Sequence, residues 1–190
     1  SSVDRRLGVR LGNALVRSSS SLDVEVFLHL VLKLCNAETQ GLRPDDYTLW
    51  VATERLKEAC SLPEGAPGSL TLARLVPYVH QLASHNVLAN NEIVLKRMQD
   101  GLPQCGLTEL MQLLQAYHSN PAADSLMRQL MAKISQASLI GEANLAQLVV
   151  LSAVLQEKQQ DDLIKDAGPL AVLALERLRR VLADSKDSQA

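Results

Sequence analysis

Residues 106–136 read GLTELMQLLQAYHSNPAADSLMRQLMAKISQ. Leu107, Leu110, Leu114 and Tyr117 recur at intervals of three and four, with Leu113 beside them, which places them on one face of a helix. Asn120 and Pro121 then end one run and start another. Asn is a favoured N-cap, and Pro at the first helical position gives up no hydrogen bond. A second run follows, marked by Leu126, Leu130 and Ile134. The stretch is a helical hairpin.

The same opening recurs along the chain: a small or capping residue, a leucine, then an apolar helical run. It stands at Ser21-Leu22, Ser69-Leu70, Gly106-Leu107 and Asn144-Leu145, so the leucines lie 48, 37 and 38 residues apart. Near-equal intervals of this kind mark a repeat array. Partner helices are expected over 45–60, 91–102, 121–136 and 169–184, the last opened by Gly168-Pro169. The loops QGLRPDD (40–46) and SLPEGAPGS (61–69) account for the longer first interval. No segment alternates as a strand would. The expected fold is all-α, a right-handed α-solenoid of about four to five helical hairpins of roughly 35–38 residues each. Residues 1–184 would form a single helical repeat domain, and 185–190 a polar tail.

Composition agrees. The chain is 47% hydrophobic but only 3% aromatic, with one Phe and one Trp, so Leu, Ala and Val must fill thin layers between helices. Net charge is −2, from 19 basic and 21 acidic residues, which disfavours a protein held mainly by phosphate contacts. Cys35, Cys60 and Cys105 are odd in number and widely spaced, which argues against a disulfide framework and for a reducing compartment. No apolar run approaches the ~20 residues needed to cross a bilayer.

Segment 3–21, VDRRLGVRLGNALVRSSSS, has two readings. Four arginines, four serines and a single acid, Asp4, suit a mitochondrial transit peptide. Leu7, Leu11 and Leu15 recur every four residues, which suits an amphipathic helix with the arginines on its wet side. The helix reading is carried forward.

Candidates for chemistry are few. His80 and His85 are five apart, not the four that would put two zinc ligands on one helical face. Cys105, just before a helix start, is a candidate for a lowered pKa, while Cys35, Tyr78 and Tyr117 are expected in the core. Asp45-Asp46 and Asp161-Asp162 stand where a helix dipole favours negative charge, which explains them without catalysis. The glycines of LGVRLGN (7–13) follow no strand, and no hydrolase, kinase or dehydrogenase signature appears. These observations point to a non-enzyme with no cofactor, no metal and no small-molecule substrate. Candidate contacts for a nucleic acid or a protein partner are Arg5, Arg6, Arg10 and Arg17, Lys96 and Arg97, and Arg177, Arg179 and Arg180. Aromatic residues for stacking single-stranded bases are scarce.

The phrase at 106–136 resembles the heptatricopeptide and octotricopeptide repeats, and the helical region of FAST-kinase-like proteins. The resemblance covers roughly residues 69–160 and rests on leucine placement, with no RAP-type domain following. It implies mitochondrial or plastid residence and a place in an organellar ribonucleoprotein assembly such as a mitochondrial ribosome or an RNA-processing complex; the mitochondrial matrix is the expected compartment, and otherwise another intracellular reducing one. Partners would be other protein subunits, with RNA a further possibility. The alternative is a protein-only scaffold or supernumerary subunit of another large mitochondrial complex. The broad apolar faces of the first and last helices predict that a partner covers at least one of them.

Overall fold

A computed structural model describes residues 2–35, 44–63, 65–83, 85, 91–158 and 168–187. Among them are ten α-helices, two short 3-10 helices and no strand. The helices are α1 (Ser2–Ser18), α2 (Val24–Cys35), α3 (Asp46–Ser61), α4 (Leu72–Ala83), α5 (Glu92–Gly101), α6 (Leu107–Tyr117), α7 (Asp124–Ile134), α8 (Ala137–Glu142), α9 (Leu145–Lys158) and α10 (Gly168–Asp187). The last runs into the stretch expected to be a polar tail. Loop residues 40–43 and the pair Asp161-Asp162 lie outside the described residues. The chain divides into two compact units, Ser1–Arg97 and Met98–Ala190.

In the first unit α1 packs on α2 and α3, α2 packs on α3 and α4, and α3 packs on α4. Phe27, Leu28, Val31, Ala52, Leu56, Leu75, Val76 and Val79 form its buried centre. The helix starts are set by local hydrogen bonds. Asp45 caps α3: its carboxylate accepts from Thr48 N at 2.9 Å and from Thr48 Oγ1 at 2.6 Å. Asp23 does the same for α2, accepting from the backbone of Glu25 and Val26. The 62–69 loop closes two turns, Ala66 N to Pro63 O and Ser69 N to Ala66 O. Gly65 (φ 84°) and Gly68 (φ 80°) each take the third place, where a left-handed residue is required.

In the second unit α6 packs on α7, α8 and α9, while α10 packs on α8 and α9. The partner helix expected over 121–136 is broken up. A 3-10 turn over Pro121–Ala123 is capped by Asn120, whose side chain accepts from Ala122 N, and α7 follows directly. Ser135 then turns back, its hydroxyl donating to Met131 O at 2.6 Å, and α8 begins two residues later. A serine that binds the preceding turn competes with helix continuation. Asn144 opens α9 through a reciprocal capping box with Gln147.

These caps correct the expected helix starts. Ser21 does not open α2; its hydroxyl donates to Ser18 O, at the end of α1. Ser69 closes a loop turn, and the carbonyl of Thr71 receives the first bonds of α4. Leu22 and Leu70 therefore precede their caps, whereas Leu107 and Leu145 follow theirs. Equivalent first helical residues are Val24, Leu72, Leu107 and Leu145, at intervals of 48, 35 and 38. In this register the fourth helical residue is Phe27, Leu75, Leu110 or Leu148, and each is 0% exposed. The four helices thus share a buried fourth position.

Candidate interaction surfaces

Aligned on their first residues, α2, α4, α6 and α9 show where the molecule offers apolar surface. The fifth helical residue is buried in α2 (Leu28), α4 (Val76) and α6 (Met111), but in α9 it is Val149, 58% exposed. The eighth is buried Val31, Val79 or Leu114 in the first three and exposed Ser152 in the fourth. Leu145, Ala146 and Ala153 are exposed on α9 as well, and residues 145–156 carry no charge. On α10, Val172, Leu175 and Leu182 are exposed at intervals of three and seven, with Arg179 in line. A helix that is apolar on nearly every side is normally covered on more than one.

Between α6 and α9 lies a groove of about 230 Å³ lined by Thr108, Met111, Gln112, Gln115, Gln147 and Val150. Its polar groups are amides and a hydroxyl, able to donate and accept but carrying no charge. In the first unit, a cleft of about 350 Å³ is bounded by Leu22, Asp23, Arg55, Glu58 and Leu62. Arg55 is anchored there, donating to Leu22 O at 3.0 Å and to Glu58 Oε2 at 2.8 Å. Nearby, Arg74 grips Glu25 with both its Nε and a terminal nitrogen. Tyr78, expected in the core, is half-buried beside that pair; burial, then the Glu25 charge, raises its pKa.

The basic candidates separate by environment. Arg6, Arg10 and Arg17 are exposed on α1, and none of the three forms an ion pair among the described residues. The side chain of Arg5 lies outside the described residues. On α5, Lys96 is exposed, whereas Arg97 is half-buried with its Nε enclosed. Arg177 reaches the carbonyl of Ala143 at 3.3 Å and so closes the turn before α9; Arg179 and Arg180 are exposed on α10. A guanidinium held by the chain's own carbonyl is poorly placed to track an external phosphate.

The thiols are shielded. Cys105 does not have the lowered pKa its place before α6 suggested. Burial and the Glu109 charge push it up to about 11, against the pull of Lys133, and its sulfur points to Gly101 O at 3.8 Å. Burial pushes Cys60 up to about 12, with Arg97 opposing. Both stay protonated near neutral pH, the form that is neither nucleophile nor metal ligand. Cys35, expected in the core, is half-buried. Tyr117 is buried as expected. Among the described residues no three His, Cys, Asp or Glu side chains converge as a metal site would require, and His118 Nδ1 lies 2.8 Å from Gln115 O.

One surface feature escaped the sequence. Tyr47 and Trp50, one turn apart on α3, stack with ring centroids 5.9 Å apart and both are more than half exposed. Their spacing was legible; their outward direction was not. No family model, curated protein or solved structure matches the chain.

Proposed function

We propose that the chain is a non-catalytic helical-repeat subunit of an organellar ribonucleoprotein assembly, a mitochondrial ribosome or RNA-processing complex, acting by surface binding. The observation that carries this is the uncovered apolar face of α9 and α10, made of Leu145, Val149, Val172, Leu175 and Leu182. The residues that match Val149 in the earlier helices, Leu28 of α2, Val76 of α4 and Met111 of α6, are buried. A face of that kind suits protein contacts, with the hairpins continuing the logic of a right-handed α-solenoid of four to five units. The placement in a ribonucleoprotein, and in the mitochondrial matrix, rests on the octotricopeptide-like phrase at 106–136. The protonated thiols support a non-enzymatic role.

A protein-only scaffold is the second reading. It is favoured by Arg177, bonded to the Ala143 carbonyl, and by Arg97, whose Nε is buried rather than offered to RNA. Purification of the tagged chain at native level, with its RNA and proteins identified, separates the two. Ribosomal or RNA-processing components should be retained, and should be lost when Val149, Val172 and Leu175 are changed to Ser. Retention of respiratory or other RNA-free subunits would replace the first reading by the second.

A further inference from the structure

Helix α1 is held from an unexpected side. Gly8 and Gly12 are buried, and a Cβ on Gly12 would stand 2.6 Å from Thr48 Oγ1 on α3. The opposite arc is open. At 3.6 residues per turn, Arg6, Arg10 and Arg17 fall within about 40° of one another, and Ala14, Leu7 and Leu11 fill the adjoining ~60°. All six are exposed, Leu7 by 47% and Leu11 by 40%. None of the described side chains of α1 is acidic. The helix that α1 rests on also presents the exposed Tyr47–Trp50 pair, and such rings favour a boundary between water and apolar phase.

We infer that this arc docks on the surface of an anionic phospholipid bilayer, with α1 lying in the plane of the headgroups. Charge complementarity selects an anionic occupant, since three arginines with no ion pair among the described residues line one side of the helix. The leucines then choose among anions. A nucleic-acid backbone would satisfy the arginines and leave Leu7 and Leu11 in water, whereas a bilayer takes phosphate contacts and apolar side chains on one plane. The interaction is in-plane and reversible, and no helix among the described residues is long and apolar enough to cross a membrane. It does not depend on the assembly proposed above.

Co-sedimentation of the full chain with vesicles tests it. Vesicles of equal parts phosphatidylcholine and phosphatidylglycerol should bind at low salt and release at high salt, and phosphatidylcholine alone should not bind. Arg6→Gln, Arg10→Gln and Arg17→Gln together should weaken binding on the order of a hundredfold, at roughly fivefold per arginine. Leu7→Ser with Leu11→Ser should weaken it roughly tenfold. Arg179→Gln with Arg180→Gln, a similar charge loss on α10, should leave it within about twofold. Absence of binding to anionic vesicles at low salt would overturn the proposal. So would binding that ignores the leucine substitutions while single-stranded RNA is retained through the arginines, which would make the arc a phosphate-backbone contact. The leucine variant decides alone if the arginine variant loses its helical circular dichroism.

Discussion

Helices α1 and α6 each bury one face, and they do so with opposite residue types. In α6 the buried face is Leu107, Leu110, Leu114 and Tyr117, while Thr108 and Gln115 stay wet. In α1 the buried face is Gly8 and Gly12, while Leu7 and Leu11 stay wet. Apolar periodicity identifies a helix in both cases but identifies the inward face only in α6. What differs is the side chain at the contact, leucine in α6 and none at Gly12 of α1. A leucine face fills the usual 8–10 Å or so between helix axes, whereas a glycine face lets the backbone approach the neighbour directly. The contrast teaches that burial follows the closest achievable approach, not hydrophobicity alone.

The largest test of this contrast lies in the leucine face. Leu110→Ala removes a fully enclosed side chain and should lower unfolding free energy by about 2–5 kcal/mol in urea melts. A loss under 1 kcal/mol or so would mean that α6 is not packed as described. Gly12→Ala should cost about 2 kcal/mol, because the new methyl meets Thr48 Oγ1, which cannot retreat without loosening the Asp45 cap of α3. If Gly12→Ala instead stabilised the chain, as replacing a mid-helix glycine by alanine otherwise does, the two helices would not differ in kind. Asn144→Ala should cost about 1 kcal/mol through loss of the capping box. Gly106→Ala, at the cap of α6 where no side chain bonds, should cost much less. The smallest effect is expected from Leu7→Ser with Leu11→Ser, within about 0.5 kcal/mol per residue, since both already face water.

An alkaline titration bears on the same region. Cys105 and Cys60 have folded pKa values near 11 and 12, both raised by burial above the ordinary value of 9.0. The unfolded thiols ionise first, so stability should be intact below pH 9.0 and fall as pH rises through 11. Cys105→Ala should flatten that fall in melts followed by circular dichroism, and thiol-reactive probes should modify Cys105 slowly at neutral pH.

Much of the helical plan was legible because its signals are local. Leu107 to Tyr117, Asn120-Pro121 and Asn144 each announce themselves within a few residues. The starts of α2 and α4 were harder to read. Leu22 and Leu70 look like Leu107 and Leu145, and only the hydrogen bonds of Asp23 and Thr71 show that the helices start beyond them. The break at Ser135 was hidden for a similar reason, since Ser135 Oγ reaches back to a carbonyl that an unbroken helix would also offer. The orientation of α1 was illegible in principle, because Gly12 is informative only once Thr48 of another helix is opposite it. Among the basic candidates, Arg177 was read as a surface charge, and no nearby residue signals that it reaches the Ala143 carbonyl.

The neighbour pattern inside each unit has a kinetic meaning. In the first unit the main contacts of α1 to α4 join helices one or two apart in the chain, and Arg74–Glu25 joins α2 and α4 across one intervening helix. Contacts between helices close in sequence mean that little chain entropy is lost before they form, so the first unit should fold quickly from any hairpin that forms first. Gly65 and Gly68 sit in the loop between α3 and α4, where one such hairpin closes. Substitutions there would act on the rate of closure as much as on the finished structure, so Gly68→Ala belongs in a stopped-flow trace as well as in a melt.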